Sequence, residues 1–303
     1  MPMDGEEFPL EEEYKKDTGI KKDDIKDLRR WLRTQPHLPE KYITDLDLIL
    51  AYHACDRSSS VTKDVLDLHY TLKTLFTPYF KDRTLDDSVQ QTLKTVLMTT
   101  LPMRTKEGYV IFYTHLLNYD AKYFNYGEAV KAVIMVLDAS QHEQGTWPGM
   151  LLAIDFEGLT LRHMTKIDLQ NLQRFLYFLQ EAILVKVKGL HFLNAPPFID
   201  KLLMMAKPFL KKELMDMLGF HVTGSKEVEN ILPIEALPKD FGGSYKTSEE
   251  CAEDVVNLLR RNEQYFAEDN KKRVTESLRP GKPPALGNMF SGLEGSFKKL
   301  DID

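Results

Sequence analysis

Apolar positions recur every three to four residues through the first hundred positions, then condense into short unbroken runs. Across Asp23–Arg33, Ile25, Leu28 and Leu32 recur at helical spacing among charges, and Pro36 stops the run. Asp45 is placed to cap a second helix bearing Leu46, Leu48, Ile49 and Tyr52. Ser58–Ser60 offer a hydroxyl cap for a third, with Val61, Val65, Leu68 and Leu72 on its face. A fourth helix is predicted across Asp86–Leu97. Short connections make this region a small helical bundle.

From Met103 the texture changes. Tyr109–Leu117 is β-branched and aromatic, and Lys106, Glu107 and Gly108 before it form a turn signal. A helix is predicted over Gly127–Ser140, a strand over Gly149–Phe156, a long helix over Ile167–Leu184 and a strand over Gly189–Leu193. Strands alternating with helices predict crossover units and a mostly parallel sheet. Apolar runs without strict alternation fit strands covered on both faces. A last strand is predicted at Phe220–Thr223. A helix over Glu249–Ala267, capped by Ser248, follows. The segment after Asp269, with Pro280, Pro283 and Pro284, reads as extended or mobile.

Composition narrows the classes. The 303 residues are 43% apolar and 28% charged, as in a soluble globular protein, with a net charge of −6. An acidic whole gains nothing from bulk attraction to nucleic acid, and nucleic acid is not an expected partner. Cys55 and Cys251, far apart, suit a reducing compartment. The acidic start lacks the basic residues of a targeting segment, and no apolar run reaches the ~20 residues of a membrane span. The expected location is cytoplasmic.

Chemical signatures are mostly missing. There is no GxSxG elbow, no phosphate-binding GxxxxGK[ST] and no GxGxxG after a strand. The eight histidines show no metal-ligand spacing. No catalytic residue, metal or cofactor is therefore expected, and an enzyme is not predicted. Asp155 and Glu157, at a strand exit, suit an acid/base pair or, more ordinarily, the capping of the following loop. His191 reads as a core histidine.

The segment Phe198–Leu218 stands out. Phe198, Leu202, Met205 and Phe209 fall on one helical stripe, and Ile199, Leu203, Ala206 and Leu210 on the next. Pro208 should break the helix. Four of the 12 methionines, Met204, Met205, Met215 and Met217, lie here, as on surfaces that repack against variable apolar partners. Between Lys186 and Lys212, six lysines face a single acid, Asp200. A wide apolar helix beside lysines suits a lipid-facing element.

Four ordered motifs carry a resemblance. Ile154–Gly158 (IDFEG), Val185–Pro196 (VKVKGLHFLNAP), Lys207–Leu210 (KPFL) and Leu237–Gly243 (LPKDFGG) are similar to the I-D-x-E-G, K-V-[KR]-G-I-H-x-I-N-x-P, K-P-F-L and L-P-x-x-[YF]-G-G runs of the CRAL-TRIO lipid-binding family. Gly292–Asp303 resembles the tails of insect members. The resemblance, over about residues 20–250, implies an α/β fold: an all-helical subdomain (1–100), an α/β domain with a mostly parallel sheet and a mobile gate helix (101–245), and a C-terminal helix and tail (246–303).

It implies a ligand pocket lined by Met150, Leu152, Ile154, Phe175, Phe178, Leu179, Ile183, Val187 and Leu190. The gate would comprise Phe198, Ile199, Leu202, Leu203, Ala206, Phe209 and Leu210. Lys186 and Lys188 match basic residues that grip phosphoinositide headgroups, and Lys211 and Lys212 could join them. Glu213 and Met217 replace two further basic residues of that site, and Leu50 and His53 replace two arginines of the helical subdomain. General contact with an anionic membrane is expected more than a tight headgroup site. The implied function is transfer of a hydrophobic small molecule, such as a retinoid, tocopherol or carotenoid, between membranes. An alternative is a lipid-sensing adaptor that recruits a protein through its tail. Tyr113, His115, Tyr177 and His191 are the polar candidates for choosing a ligand.

Overall fold

The computed structural model describes residues 5–282. Five strands form one sheet in the order β1 (Val96–Thr100), β2 (Val110–Leu116), β3 (Met150–Asp155), β4 (Val187–Leu193) and β5 (Leu218–Phe220). β1 runs antiparallel to β2, and every other pair is parallel. The predicted α/β class and mostly parallel sheet are both present.

Two helix boundaries differ for reasons of capping. The second helix, Asp45–Ala54, is capped by Thr44, which forms a reciprocal box with Asp47. Asp45 instead receives Arg29 at 2.5 Å. The C-terminal helix divides into Ser248–Arg261 and Glu263–Asp269, with Thr247 as its cap. The third helix, Ser59–Leu75, turns Leu66, Tyr70 and Leu72 inward and leaves Val61 exposed, so its buried face is rotated from the one predicted. The first two residues of β1, Val96 and Leu97, fall inside the helix predicted over Asp86–Leu97. That helix stops at Thr95, and Val96–Thr100 continues directly into the sheet.

Register explains how the sheet presents its faces. Leu152, Leu190 and Leu218 lie in one row across β3, β4 and β5. Met98, Thr114, Ile154, Phe192 and Phe220 form the next row, across all five strands. With a period of two, both rows face the same side, beneath the helices Tyr126–Gln144 and Leu169–Glu181. The opposite side carries Ile111, Tyr113, Leu151 and Ala153, packed against Leu232, Leu237 and Phe241.

The LPKDFGG run closes that far side. Gly242 takes a left-handed φ of +85°, and a Cβ on Gly243 would stand 1.9 Å from the Leu237 carbonyl oxygen. Each glycine answers a separate geometric demand.

The N-terminal helices bury Ile25, Leu28, Leu32, Leu48, Ile49 and Tyr70 in a core that also takes in Val274. Thus residues just past Asp269, expected to be extended or mobile, are packed. Lys272 reaches Asp47 at 2.6 Å, and Arg279 Nη1 reaches both Asp67 carboxylate oxygens at 2.6 and 2.7 Å. The tail resemblance at Gly292–Asp303, and Pro283 and Pro284, lie outside the described residues.

Candidate functional site

Between the sheet and the helices Tyr126–Gln144, Leu169–Glu181 and Ile199–Ala206 lies a cavity of about 220 Å³. The two rows of the sheet form its floor. Leu172, Phe175, Leu176 and Leu179 line one wall, following the i, i+3, i+4, i+7 pattern of a single helical face. Among its lining residues only Thr114, His115, Tyr126 and Asp155 carry polar side-chain N or O atoms. An apolar ligand therefore meets almost no group that demands a hydrogen bond.

Of the nine expected lining residues, Leu152, Ile154, Phe175, Leu179 and Leu190 meet at the cavity. Met150, Phe178, Ile183 and Val187 do not. Helix phase decides Phe178: it points to the helical side, with its ring 5.1 Å from Phe80 and 5.8 Å from His69. Met150 and Val187 begin β3 and β4, a full row away from the floor, and Ile183 lies beyond the end of the helix. The sequence reading missed Val96, Met98, Leu218 and Phe220 on the floor. The unbroken apolar run Val96–Met98 and the alternation of Leu218, Gly219 and Phe220 were the signals available.

The expected gate forms the remaining wall. Ile199, Leu202, Leu203, Ala206 and Leu210 line the cavity, whereas Phe198 and Phe209 do not. The helix Ile199–Ala206 has no buried residue, and Met204 on its outer side is 73% exposed. Pro208 ends it in a 3₁₀ turn, Lys207–Phe209, as a residue without an N–H should.

The four expected headgroup lysines are divided between solvent and carboxylates. Lys186 pairs with Asp56 at 2.6 Å, Lys211 with Glu181, and Lys212 with Asp216. Lys188 is exposed where β4 begins.

Asp155 serves the strand exit. Its carboxylate accepts from Tyr113 Oη at 2.9 Å, Asn194 Nδ2 at 2.8 Å and the Glu157 amide at 3.0 Å. Burial opposes its charge, but His115, 3.2 Å away, and the bonds from Asn194 and the Glu157 amide hold its carboxyl below the usual range. His115, Asp155 and Glu157 could together hold a cation, their ligand atoms lying within 4.8 Å of one another. Among the candidates for choosing a ligand, His115 reaches the cavity lining, while Tyr113, Tyr177 and His191 do not. His191 lies against His221, Nδ1 to Nε2 at 3.0 Å, and burial holds its pKa below the ordinary value, with His221 adding to the effect.

Residues 94–243 match the CRAL/TRIO domain. The chain belongs, through this domain, to the CRAL-TRIO family. Rat (Rattus norvegicus) Clavesin-2 is 24% identical over 159 residues, 52% of this chain and 49% of that protein, so the match spans about half of the relative. Clavesin-1 of Xenopus laevis is 22% identical over 223 residues, 73% of this chain and 67% of the relative. Mouse (Mus musculus) alpha-tocopherol transfer protein-like is 22% identical over 242 residues, covering 80% and 64% of the two chains. A solved structure, that of Sfh5, overlays at a TM-score of 0.44 with 11% identity, covering 82% of this chain and 83% of that one. Three of the four motifs of this CRAL-TRIO chain meet at the cavity, Ile154 and Leu190 on its floor and Leu210 on the gate wall, while the fourth packs Phe241 behind the sheet.

Proposed function

We propose that this protein binds a hydrophobic small molecule in its apolar cavity and transfers it between membranes. The observation that carries the reading is a nearly nonpolar cavity walled on one side by a helix that buries none of its own residues. Burying ~350 Å² of apolar ligand at about 25 cal/mol/Å² gives on the order of 9 kcal/mol before ordering costs. A bilayer offers a similar gain, so the protein's contribution is to cover the ligand in water and release it at lipid. Among the described residues no helix is long and apolar enough to cross a membrane.

The gate supplies the exchange step. Ile199, Leu202 and Leu203 face the ligand, and Met204 and Val222, both largely exposed, face outward to meet lipid. Three of the four headgroup lysines already hold carboxylates, which supports brief, salt-sensitive contact with an anionic surface over a tight phosphoinositide site. A retinoid, tocopherol, carotenoid or similar lipid fits such a wall. Organic extraction and native mass spectrometry of protein from its natural source identify the ligand.

The decisive test is Met204→Asp. Its side chain is solvent-exposed, so the fold is retained, while transfer of a bound fluorescent retinoid or tocopherol analogue to phosphatidylcholine–phosphatidylserine vesicles slows about tenfold, roughly the effect of losing one buried methionine at lipid. Unchanged transfer in a folded variant rejects the gate as the membrane contact. Segment 270–282 is packed into the frame that the N-terminal helices form, so the adaptor alternative is tested by removing residues 283–303 alone.

A further inference from the structure

Gln180, the penultimate residue of the helix Leu169–Glu181, uses its whole side-chain amide. Nε2 donates to the Phe209 carbonyl at 2.9 Å and to the Leu176 carbonyl of its own helix at 2.8 Å. Oε1 accepts the Lys211 backbone N–H at 2.7 Å. In extended chain the carbonyl of one residue and the N–H two residues on point to the same edge. Leu210 and Lys211 are extended, with ψ of 127° and 159°, so the Gln180 amide pairs with this edge as a neighbouring strand would. The residue between the two bonds, Leu210, lies on the cavity wall.

The 3₁₀ turn Lys207–Phe209, containing Pro208, lies immediately before this clamp. A proline turn followed by a pinned segment makes a joint with one fixed side. The helix Ile199–Ala206, by contrast, meets the cavity through apolar side chains alone.

We infer that Gln180 is the positioning residue of the gate: it pins residues 209–211, confines gate motion to the segment before Pro208, and keeps Leu210 on the wall while the helix swings. This inference rests on the carrier reading above. The pin belongs to a half-buried surface amide, so the near-isosteric Gln180→Met keeps packing and removes only the hydrogen bonds.

Two measurements test it. Hydrogen exchange in the wild-type protein should show the Lys211 amide protected, and Gln180→Met should expose it about tenfold while leaving the Leu203 amide, inside the gate helix, as protected as before. Release of 1,6-diphenylhexatriene, an apolar fluorescent rod, should quicken about tenfold in the same variant, as expected when a bond worth roughly one power of ten is lost. A Lys211 amide that exchanges in the wild type at the open-chain rate overturns the pin, as does unchanged probe release in folded Gln180→Met. If the wild-type protein takes up no diphenylhexatriene, the carrier reading fails, and the Lys211 exchange still decides whether the pin exists.

Discussion

Two interiors meet in this molecule and are built on opposite principles. Toward the N-terminal helices, charge is buried and paired: Asp269, 1% exposed, binds Lys73 at 2.5 Å and also Arg83, which reaches Asp138 at 2.6 Å. Burial opposes the charge on Asp269, but Lys73, Arg83 and Lys272 outweigh it and hold its carboxyl well below the usual range. Behind the gate, the interior is hollow and almost free of polar groups. Paired buried ions tolerate no displacement, because a separated partner is left charged without water. Apolar contacts around a cavity exchange for other apolar contacts at little cost. The difference assigns rigidity to one side and motion to the other.

The comparison breaks most sharply at Asp269. Asp269→Ala leaves Lys73 and Arg83 buried without their carboxylate and should cost about 3–5 kcal/mol in urea unfolding. A loss under about 1 kcal/mol would show that the frame does not depend on this network. The same truncation made on each side comes next. Leu48→Ala, in a fully buried frame position, should cost about 3 kcal/mol, whereas Leu203→Ala, beside an existing cavity, should cost under about 1 kcal/mol. Equal losses would mean that the two interiors are packed alike.

Acid sharpens the contrast with a smaller effect. His69 is fully buried in the frame, donating from Nδ1 to the Ala182 carbonyl at 2.7 Å, and burial pushes its pKa down to about 3. In the unfolded chain it titrates near 6.5, so below that pH the unfolded state binds the extra proton. Stability contributed by neutral His69 is therefore full above about pH 6.5 and falls as pH drops toward its folded pKa, by about 2 kcal/mol between pH 6.5 and 5. Urea unfolding at the two pH values measures it. His69→Gln should flatten this part of the profile, and an unaltered slope would place the acid sensitivity elsewhere.

Legibility followed the same division. Apolar runs and helical spacing marked the strands and the two stripes of the gate helix, and the family resemblance, rather than spacing, pointed to the floor positions on β3 and β4 and to the inner stripe. Phe178 was misplaced because apolarity alone does not say which of two adjoining cores a helical residue enters. Val96 and Leu97, the start of β1, were absorbed into the preceding helix since no glycine or proline separates them. The frame was the least readable part. Lys272 and Arg279 lie in a stretch whose prolines and charges suggest mobility, and their partners Asp47 and Asp67 lie more than two hundred positions earlier. Composition carries no trace of such pairings. Gln180 was equally hidden, because its significance lies in backbone atoms 29 and 31 residues away.

The placement of Val274 among Ile25, Leu48 and Tyr70 carries a consequence in time. Synthesis proceeds from the N-terminus, so the first helices leave the ribosome with a gap in their core and with Asp47 and Asp67 uncompensated. Their partners, Lys272 and Arg279, arrive only after more than two hundred further residues have been made. These helices are thus made long before their core is finished, and a product truncated before residue 270 would be marked by an opening in that core.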